Sequence, residues 1–266
     1  MSQTSSGPNS VRFERDDAST GSSRPGHPRW VRSCHWLIAV SVLTLAFSGF
    51  VILMAHPRLY WGSEVGNDLT PALLELPISR NYRHGGWTRG ESFFAAANSP
   101  VTANRTYEIF NQNGWGRSLH FLAAWFLAFS GIVYLGGGLV GGHFRRHLLP
   151  RTGERSLRLL WQDLVDHLRM RFRPAPGGPP YGLLQKTTYS GVVLVLLPLV
   201  VLTGLRMSPA IAAAFPVLPA LFGGFQTART LHFGLFALLV LFVLVHVAMV
   251  VVSGFGRQLR AMTIGG

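Results

Sequence analysis

Four separate stretches of this chain are long and apolar enough to cross a lipid bilayer. A helix needs about 20 apolar residues to span the hydrocarbon core, because each residue rises about 1.5 Å. The sequence reaches that length over residues 33–54, 118–140, 183–205 and 230–252. The chain is 48% hydrophobic and only 13% charged, unlike an ordinary soluble domain. We therefore predict an all-α integral membrane protein that forms a four-helix bundle.

The basic residues indicate how this bundle is oriented. A formal charge of +13 would suggest nucleic-acid binding in a soluble protein, but here the arginines are concentrated in particular loops. The loop between the second and third spans is strongly basic, so the positive-inside rule places it in the cytoplasm. The long loop from about 55 to 116 nearly balances its charges and is predicted to be periplasmic. Both termini then lie in the cytoplasm, the protein lies in a bacterial inner membrane, and no nucleic-acid partner is expected.

The segments outside the spans complete the predicted organisation. Residues 1–29 are polar and rich in Ser, Gly and Pro, which predicts a disordered cytoplasmic tail. Residues 30–256 form the transmembrane domain, and 257–266 form a second cytoplasmic tail. The apolar stretch 209–225 is interrupted by prolines, which favours a re-entrant or interfacial cap over a fifth span. The arginine-rich stretch 145–173 predicts a basic helix lying against phospholipid head groups.

The predicted periplasmic loop is unusually aromatic. Its aromatic residues are Tyr60, Trp61, Trp87, Phe93, Phe94, Tyr107, Phe110 and Trp115. Such a composition is typical of a docking surface or an interface cap. For Trp61 and Trp115, the aromatic belt of a membrane protein is an equally good interpretation.

Four of the ten histidines lie inside predicted spans, at His35, His120, His232 and His246. An ionisable side chain in hydrocarbon is costly unless it has a partner, so each is a candidate functional residue. A neutral imidazole is also a common ligand of haem iron. Interhelical hydrogen bonding in an anchor or transporter is the other interpretation of such histidines.

The predicted topology gives each of these histidines a depth in the membrane. His120 and His232 lie near the periplasmic side, whereas His35 and His246 lie near the cytoplasmic side. The fourteen residues from His232 to His246 are about 40° short of four helical turns, so both lie on one face, roughly 21 Å apart. We therefore predict two stacked haems, with iron bound by the pairs His120/His232 and His35/His246.

Small and basic residues support this prediction. Gly49 and Gly131 lie at the depths of the two predicted haems and would let a flat macrocycle approach a helix closely. Arg117, Arg206 and Arg229 lie at the periplasmic ends of the spans and are candidate partners for haem propionates. Helix packing and the ordinary flanking of membrane helices by arginine are alternative explanations.

The only cysteine, Cys34, cannot form the Cys-x-x-Cys-His attachment of a c-type haem. Any haem must therefore be held without a covalent link, as b-type haems are.

The chain resembles the di-haem cytochrome b subunits that anchor bacterial formate dehydrogenase, nickel hydrogenase and thiosulfate reductase complexes. The motifs that carry the resemblance are Cys34-His35-Trp36, Gly116-Arg117-Ser118-Leu119-His120, Arg229-Thr230-Leu231-His232 and Val245-His246-Val247. The segment from His56 to Gly62 is most similar to the thiosulfate-reductase type. That resemblance implies a partner that is a periplasmic molybdenum oxidoreductase.

These observations predict an electron-transfer subunit with two b-type haems, which links a periplasmic redox protein to the quinone pool. We weigh two alternatives. One is a stand-alone quinone reductase that oxidises a small donor such as superoxide. The other is a non-haem membrane anchor or transporter with structural histidines.

Overall fold

The computed structural model describes residues 28–62, 71–78, 113–149, 156–169 and 182–264. The helices are α1 (Arg29–Ala55), α2 (Asn113–Val140), α3 (Leu157–Leu168), α4 (Leu183–Gly191), α5 (Leu197–Arg206), α6 (Pro209–Ala214), α7 (Val217–Phe222), α8 (Phe225–Val252) and α9 (Phe255–Thr263). Two short antiparallel strands, β1 (Arg58–Leu59) and β2 (Leu74–Glu75), follow α1. The predicted 1–29 tail lies almost entirely outside the described residues.

Four helical segments of the described chain are long and apolar enough to cross a membrane. Three of them are the single helices α1, α2 and α8, and the third span runs from α4 to α5. A π-helical segment, Val192–Leu196, joins α4 to α5 immediately before Pro198. Proline cannot donate a backbone hydrogen bond, and a locally widened helix accommodates its ring. The predicted all-α four-helix membrane bundle is therefore confirmed.

The centre of the bundle is formed by one buried residue from each span. Val42, Leu127, Val192 and Leu239 form a single apolar cluster. Around this cluster α1 packs along α2, and α5 packs against α8. Many large apolar side chains on the outer faces are exposed, as suits helices whose surroundings are lipid.

Short elements close the end of the bundle at which α1 ends and α8 begins. The prolines divide 209–225 into α6 and α7, and neither helix is long enough to cross a membrane. The segment after α1 is fastened to α8: Thr227 Oγ1 accepts the Gly62 amide at 2.8 Å, and Thr230 Oγ1 donates to the Tyr60 carbonyl at 2.6 Å. The chain that leaves α1 is therefore held against the start of α8 at this end of the bundle.

The aromatic docking surface is only partly within the described residues. Trp61 is exposed, and the Trp115 ring lies 5.9 Å from that of Phe47. The other predicted members between 79 and 112 lie outside the described residues.

The opposite end of the bundle carries α9, which begins two residues before the segment 257–266 that was predicted as a tail. A left-handed Gly254, with φ of 104°, turns the chain out of α8. The Arg32 Nη1 group then donates to the Thr263 carbonyl at 3.0 Å, and Trp36 Nε1 donates to the Met262 carbonyl at 2.9 Å. The last helix is thus fastened to the start of α1.

Gly116 of α2 lies close to Val51 of α1, so a larger residue at this position should push the two helices apart. A Cβ atom at Gly116 would lie 3.0 Å from Val51 Cγ1. We expect Gly116→Leu to destabilise the protein by about 1–3 kcal/mol through overpacking. Thermal unfolding of purified protein in detergent measures the effect.

Gly114 supplies the matched control, because a Cβ there meets no described atom within 4 Å. Both substitutions gain the same helix propensity, so Gly114→Leu should be neutral or slightly stabilising. Equal melting temperatures for the two variants would contradict the proposed close approach.

Candidate functional site

The four intramembrane histidines form two pairs in the bundle. The ring centroids of His120 on α2 and His232 on α8 are 6.3 Å apart, with an angle of 68° between the ring planes. The centroids of His35 on α1 and His246 on α8 are also 6.3 Å apart, with an angle of 63°. The structure therefore brings together the same two histidine pairs that the predicted membrane depths had indicated. Because α8 is continuous, the two pairs are separated by roughly 21 Å along it.

The spacing within each pair suits two axial ligands of one metal ion. A ring nitrogen lies roughly 2 Å from its metal and roughly 1 Å from its own ring centre, so opposed ligands have centroids roughly 6 Å apart. Among the described residues there is no cluster of three or more His, Cys, Asp or Glu side chains that could hold a bare ion. Two protein ligands per site match haem, whose macrocycle supplies the remaining ligands of the iron.

Hydroxyl groups hold both histidines of the His120/His232 pair. Ser48 Oγ on α1 lies 3.0 Å from His120 Nδ1, and Thr203 Oγ1 on α5 lies 3.0 Å from His232 Nδ1. Ser48 and Thr203 are fully buried. Each histidine thus keeps its Nε2 atom available as a ligand while its Nδ1 atom is engaged by the neighbouring span.

A glycine follows each of these hydroxyl residues and allows the imidazole to approach the helix. A Cβ atom at Gly49 would lie 3.4 Å from His120 Cε1, and one at Gly204 would lie 3.4 Å from His232 Cε1. Gly49 therefore lies against a histidine ring. A Cβ atom at Gly131 would meet no described atom within 4 Å, which leaves space beside that part of α2.

Aromatic rings surround His246. The Phe242 ring stacks on it at 5.6 Å with an angle of 20°, and the Tyr189 ring of the third span lies edge-on at 6.0 Å. The Nδ1 atom of His246 is buried and has no hydrogen-bond partner among the described residues. A buried polar atom without a partner is uncommon in a folded protein and indicates a functional site or a missing ligand.

The three predicted propionate partners have different environments. Arg206 is buried, and its Nε donates to the Gly223 carbonyl at 2.9 Å. Arg229 is half-buried and donates to the His56 carbonyl, whereas Arg117 is exposed on α2. Their role toward haem stays a prediction.

Sequence reasoning missed the contribution of Ser48 and Thr203. The steps Ser48-Gly49 and Thr203-Gly204 were visible in the sequence, but small-residue packing explains such steps equally well. Only the packing of α2 against α1, and of α8 against α5, shows which hydroxyl faces a histidine.

Comparison with known proteins gives two matches over nearly the whole chain. A family model described as prokaryotic cytochrome b561 matches residues 26–265. The putative protein-methionine-sulfoxide reductase subunit YedZ1 of Azospira oryzae is 30% identical over 239 residues, which are 90% of this chain and 96% of the relative. No solved structure matches significantly.

The glycine beside each histidine of the His120/His232 pair should be required for haem binding. At Gly204, the branches of a leucine would extend beyond a Cβ that already contacts His232. We expect Gly204→Leu to displace this imidazole and lower haem affinity by roughly 10–100-fold, as changes around metal ligands do. The ratio of haem to protein, measured by absorbance after purification, reports the loss.

Gly234→Leu is the control on α8, because a Cβ there meets no described atom within 4 Å. Full haem content in both variants would show that Gly204 does not position His232.

Proposed function

Because the chain belongs to the prokaryotic cytochrome b561 family, we propose that it is an electron-transfer subunit with two b-type haems, linking the quinone pool to a periplasmic redox partner. Membership of the family implies b-type haem, and the narrower count of two is our proposal. The observation that carries it is the presence of two histidine pairs with the same 6.3 Å spacing. The narrower resemblance to the thiosulfate-reductase type stays a prediction.

Each pair draws its ligands from two helices that are far apart in the sequence. His120 and His232 join α2 to α8, and His35 and His246 join α1 to α8. When bound, haem iron supplies one-electron chemistry. The paired histidines would hold the iron of each haem, while the apolar spans exclude water and set the two sites at opposite depths. Sites at opposite depths support electron transfer across the bilayer.

The proposed orientation places both termini in the cytoplasm of a bacterial inner membrane. The His35/His246 pair, α3 and α9 then lie toward the cytoplasm, and the α6–α7 end lies toward the periplasm. Arg158 and Arg169 at α3, together with Arg257 and Arg260 of α9, put positive charge on the cytoplasmic side. Residues 30–256 form the transmembrane domain in this proposal.

Quinone chemistry transfers protons as well as electrons, so its site needs titratable groups. Tyr189 contacts the His246 ring, and the buried Lys186 lies one turn before it on the same helix. These two side chains support a quinone site beside the His35/His246 pair.

The partner proposed here is a periplasmic reductase. The relative in Azospira oryzae is named as a subunit of a protein-methionine-sulfoxide reductase. By that likeness, electrons would leave a quinol in the membrane and reach a sulfoxide, which accepts two electrons and two protons and yields a thioether and water. The cytochrome b resemblance adds the expectation that this reductase contains molybdenum.

Removing single histidines tests the haem assignment. We expect His120→Ala and His232→Ala to abolish one haem, and His35→Ala and His246→Ala to abolish the other, because one imidazole cannot replace two axial ligands. Dithionite-reduced minus oxidised spectra, with haem quantified per protein, distinguish the four variants. The two members of a pair should give the same residual spectrum.

His143→Ala is the matched control. Its ring packs on Trp30 at 5.7 Å and belongs to neither pair, so this variant should keep both haems. A wild type that shows no sharp reduced b-type bands would support the anchor or transporter alternative. Retention of both haems in all four histidine variants would refute the pairing.

Co-purification tests the proposed partner. Mild solubilisation of the tagged chain should retain a molybdenum-containing protein, detected by elemental analysis of the complex. Reduction of the haems by superoxide in the purified chain, with no protein partner retained, would instead support the stand-alone quinone reductase.

A further inference from the structure

The two histidine pairs differ in the hydrogen bonds made by their Nδ1 atoms. In the His120/His232 pair, both Nδ1 atoms lie 3.0 Å from a buried hydroxyl. In the other pair, His246 Nδ1 is buried without a hydrogen-bond partner among the described residues. The spacing of the rings is the same in both pairs, so the difference lies in the surroundings of the ligands.

The hydrogen positions follow from the bonds that each hydroxyl makes. Ser48 Oγ also lies 2.8 Å from the Thr44 carbonyl, and Thr203 Oγ1 lies 2.8 Å from the Leu199 carbonyl. A hydroxyl has one hydrogen, and a carbonyl oxygen can only accept. With that hydrogen donated to the carbonyl one turn back, each hydroxyl oxygen accepts from the histidine. The imidazole proton therefore lies on Nδ1.

We propose that Ser48 and Thr203 are positioning residues that lock His120 and His232 as Nδ1–H tautomers and make them stronger iron ligands than the same imidazoles would be without these hydroxyls. This inference rests on the proposed function, since it concerns the haem held by these histidines. A hydrogen bond from the outer nitrogen fixes ring orientation and raises ligand basicity. Phe242 and Tyr189 hold the His246 ring through aromatic contacts, which fix its plane and leave its Nδ1 without an acceptor.

The difference has a consequence for reduction potential. A more basic axial ligand stabilises the oxidised iron more than the reduced iron and so lowers the potential. The hydroxyls of Ser48 and Thr203 therefore lower the potential of a haem held by His120 and His232. Axial ligands and their hydrogen bonds are the means by which a protein adjusts haem potential.

The test is a potentiometric titration of the purified full-length chain, followed by absorbance. Ser48→Ala and Thr203→Val each remove one hydroxyl while keeping a small or similarly shaped side chain. We expect each to raise the midpoint potential of the haem held by His120 and His232. A ten-fold change in relative affinity for the two iron oxidation states corresponds to about 59 mV for one electron. The titration wave of the other haem should not move.

Ser130→Ala is the matched control. Ser130 is equally buried, precedes a glycine in the same way, and donates to the carbonyl four residues earlier at 2.7 Å. It has no histidine contact within the part of the chain that the structure describes, so its variant should titrate like the wild type. Ser48→Thr restores the hydroxyl and should restore the wild-type potential. His246→Ala identifies which wave belongs to which pair.

Each outcome decides the inference. The inference is supported if Ser48→Ala and Thr203→Val raise the potential of the wave that remains in His246→Ala, while Ser130→Ala changes neither wave. If Ser48→Ala loses that haem and Ser48→Thr retains it, the inference is also supported, because the hydroxyl is then required for haem binding. Unchanged potentials with both haems bound, or a shift in the wave removed by His246→Ala, overturn the inference and leave the proposed function intact. A wild type without reduced b-type bands overturns both.

Discussion

Each imidazole inside the bundle has two ring nitrogens that need partners away from water, and at His120 and His232 a neighbouring span supplies a partner for one of them. An unsatisfied buried polar group costs about 1–3 kcal/mol, and lipid offers no replacement for water. The structure meets the need at His120 and His232 with hydroxyls from neighbouring spans and with glycines that let the rings approach. The ring centroids of each histidine pair are 6.3 Å apart, a spacing that one iron atom between the rings would fit.

This arrangement also explains the part played by the third span, which has no histidine. Its Thr203 and Gly204 hold His232, and its Tyr189 lies against His246. The π-helical segment Val192–Leu196 lies between these contacts. The third span, which has no histidine, thus contacts one histidine of each pair. A span that only shielded the interior would not need these contacts.

The same local arrangement of a hydroxyl residue, a glycine and a histidine occurs in both halves of the bundle. On α1 and on α5, a hydroxyl residue donates to its own helix, accepts from the histidine of the next span, and is followed by a glycine against that ring. The step Ser130-Gly131 has the same sequence pattern, but among the described residues it contacts no histidine. Sequence pattern alone therefore could not distinguish the two hydroxyl–glycine dipeptides that contact a histidine from the one that does not.

The sequence by itself determined the four spans and the depths of the four histidines, because span length, helical rise and the distribution of arginines depend only on local composition. Depth was enough to predict the two pairs. The tertiary structure decided the surroundings of each pair, because these depend on which helix faces turn toward one another. It brought Ser48 to His120 and Thr203 to His232, and it left His246 Nδ1 among aromatic rings. Hydrogen bonds between residues 29 or more positions apart cannot be read from local pattern, since only packing of the spans creates them.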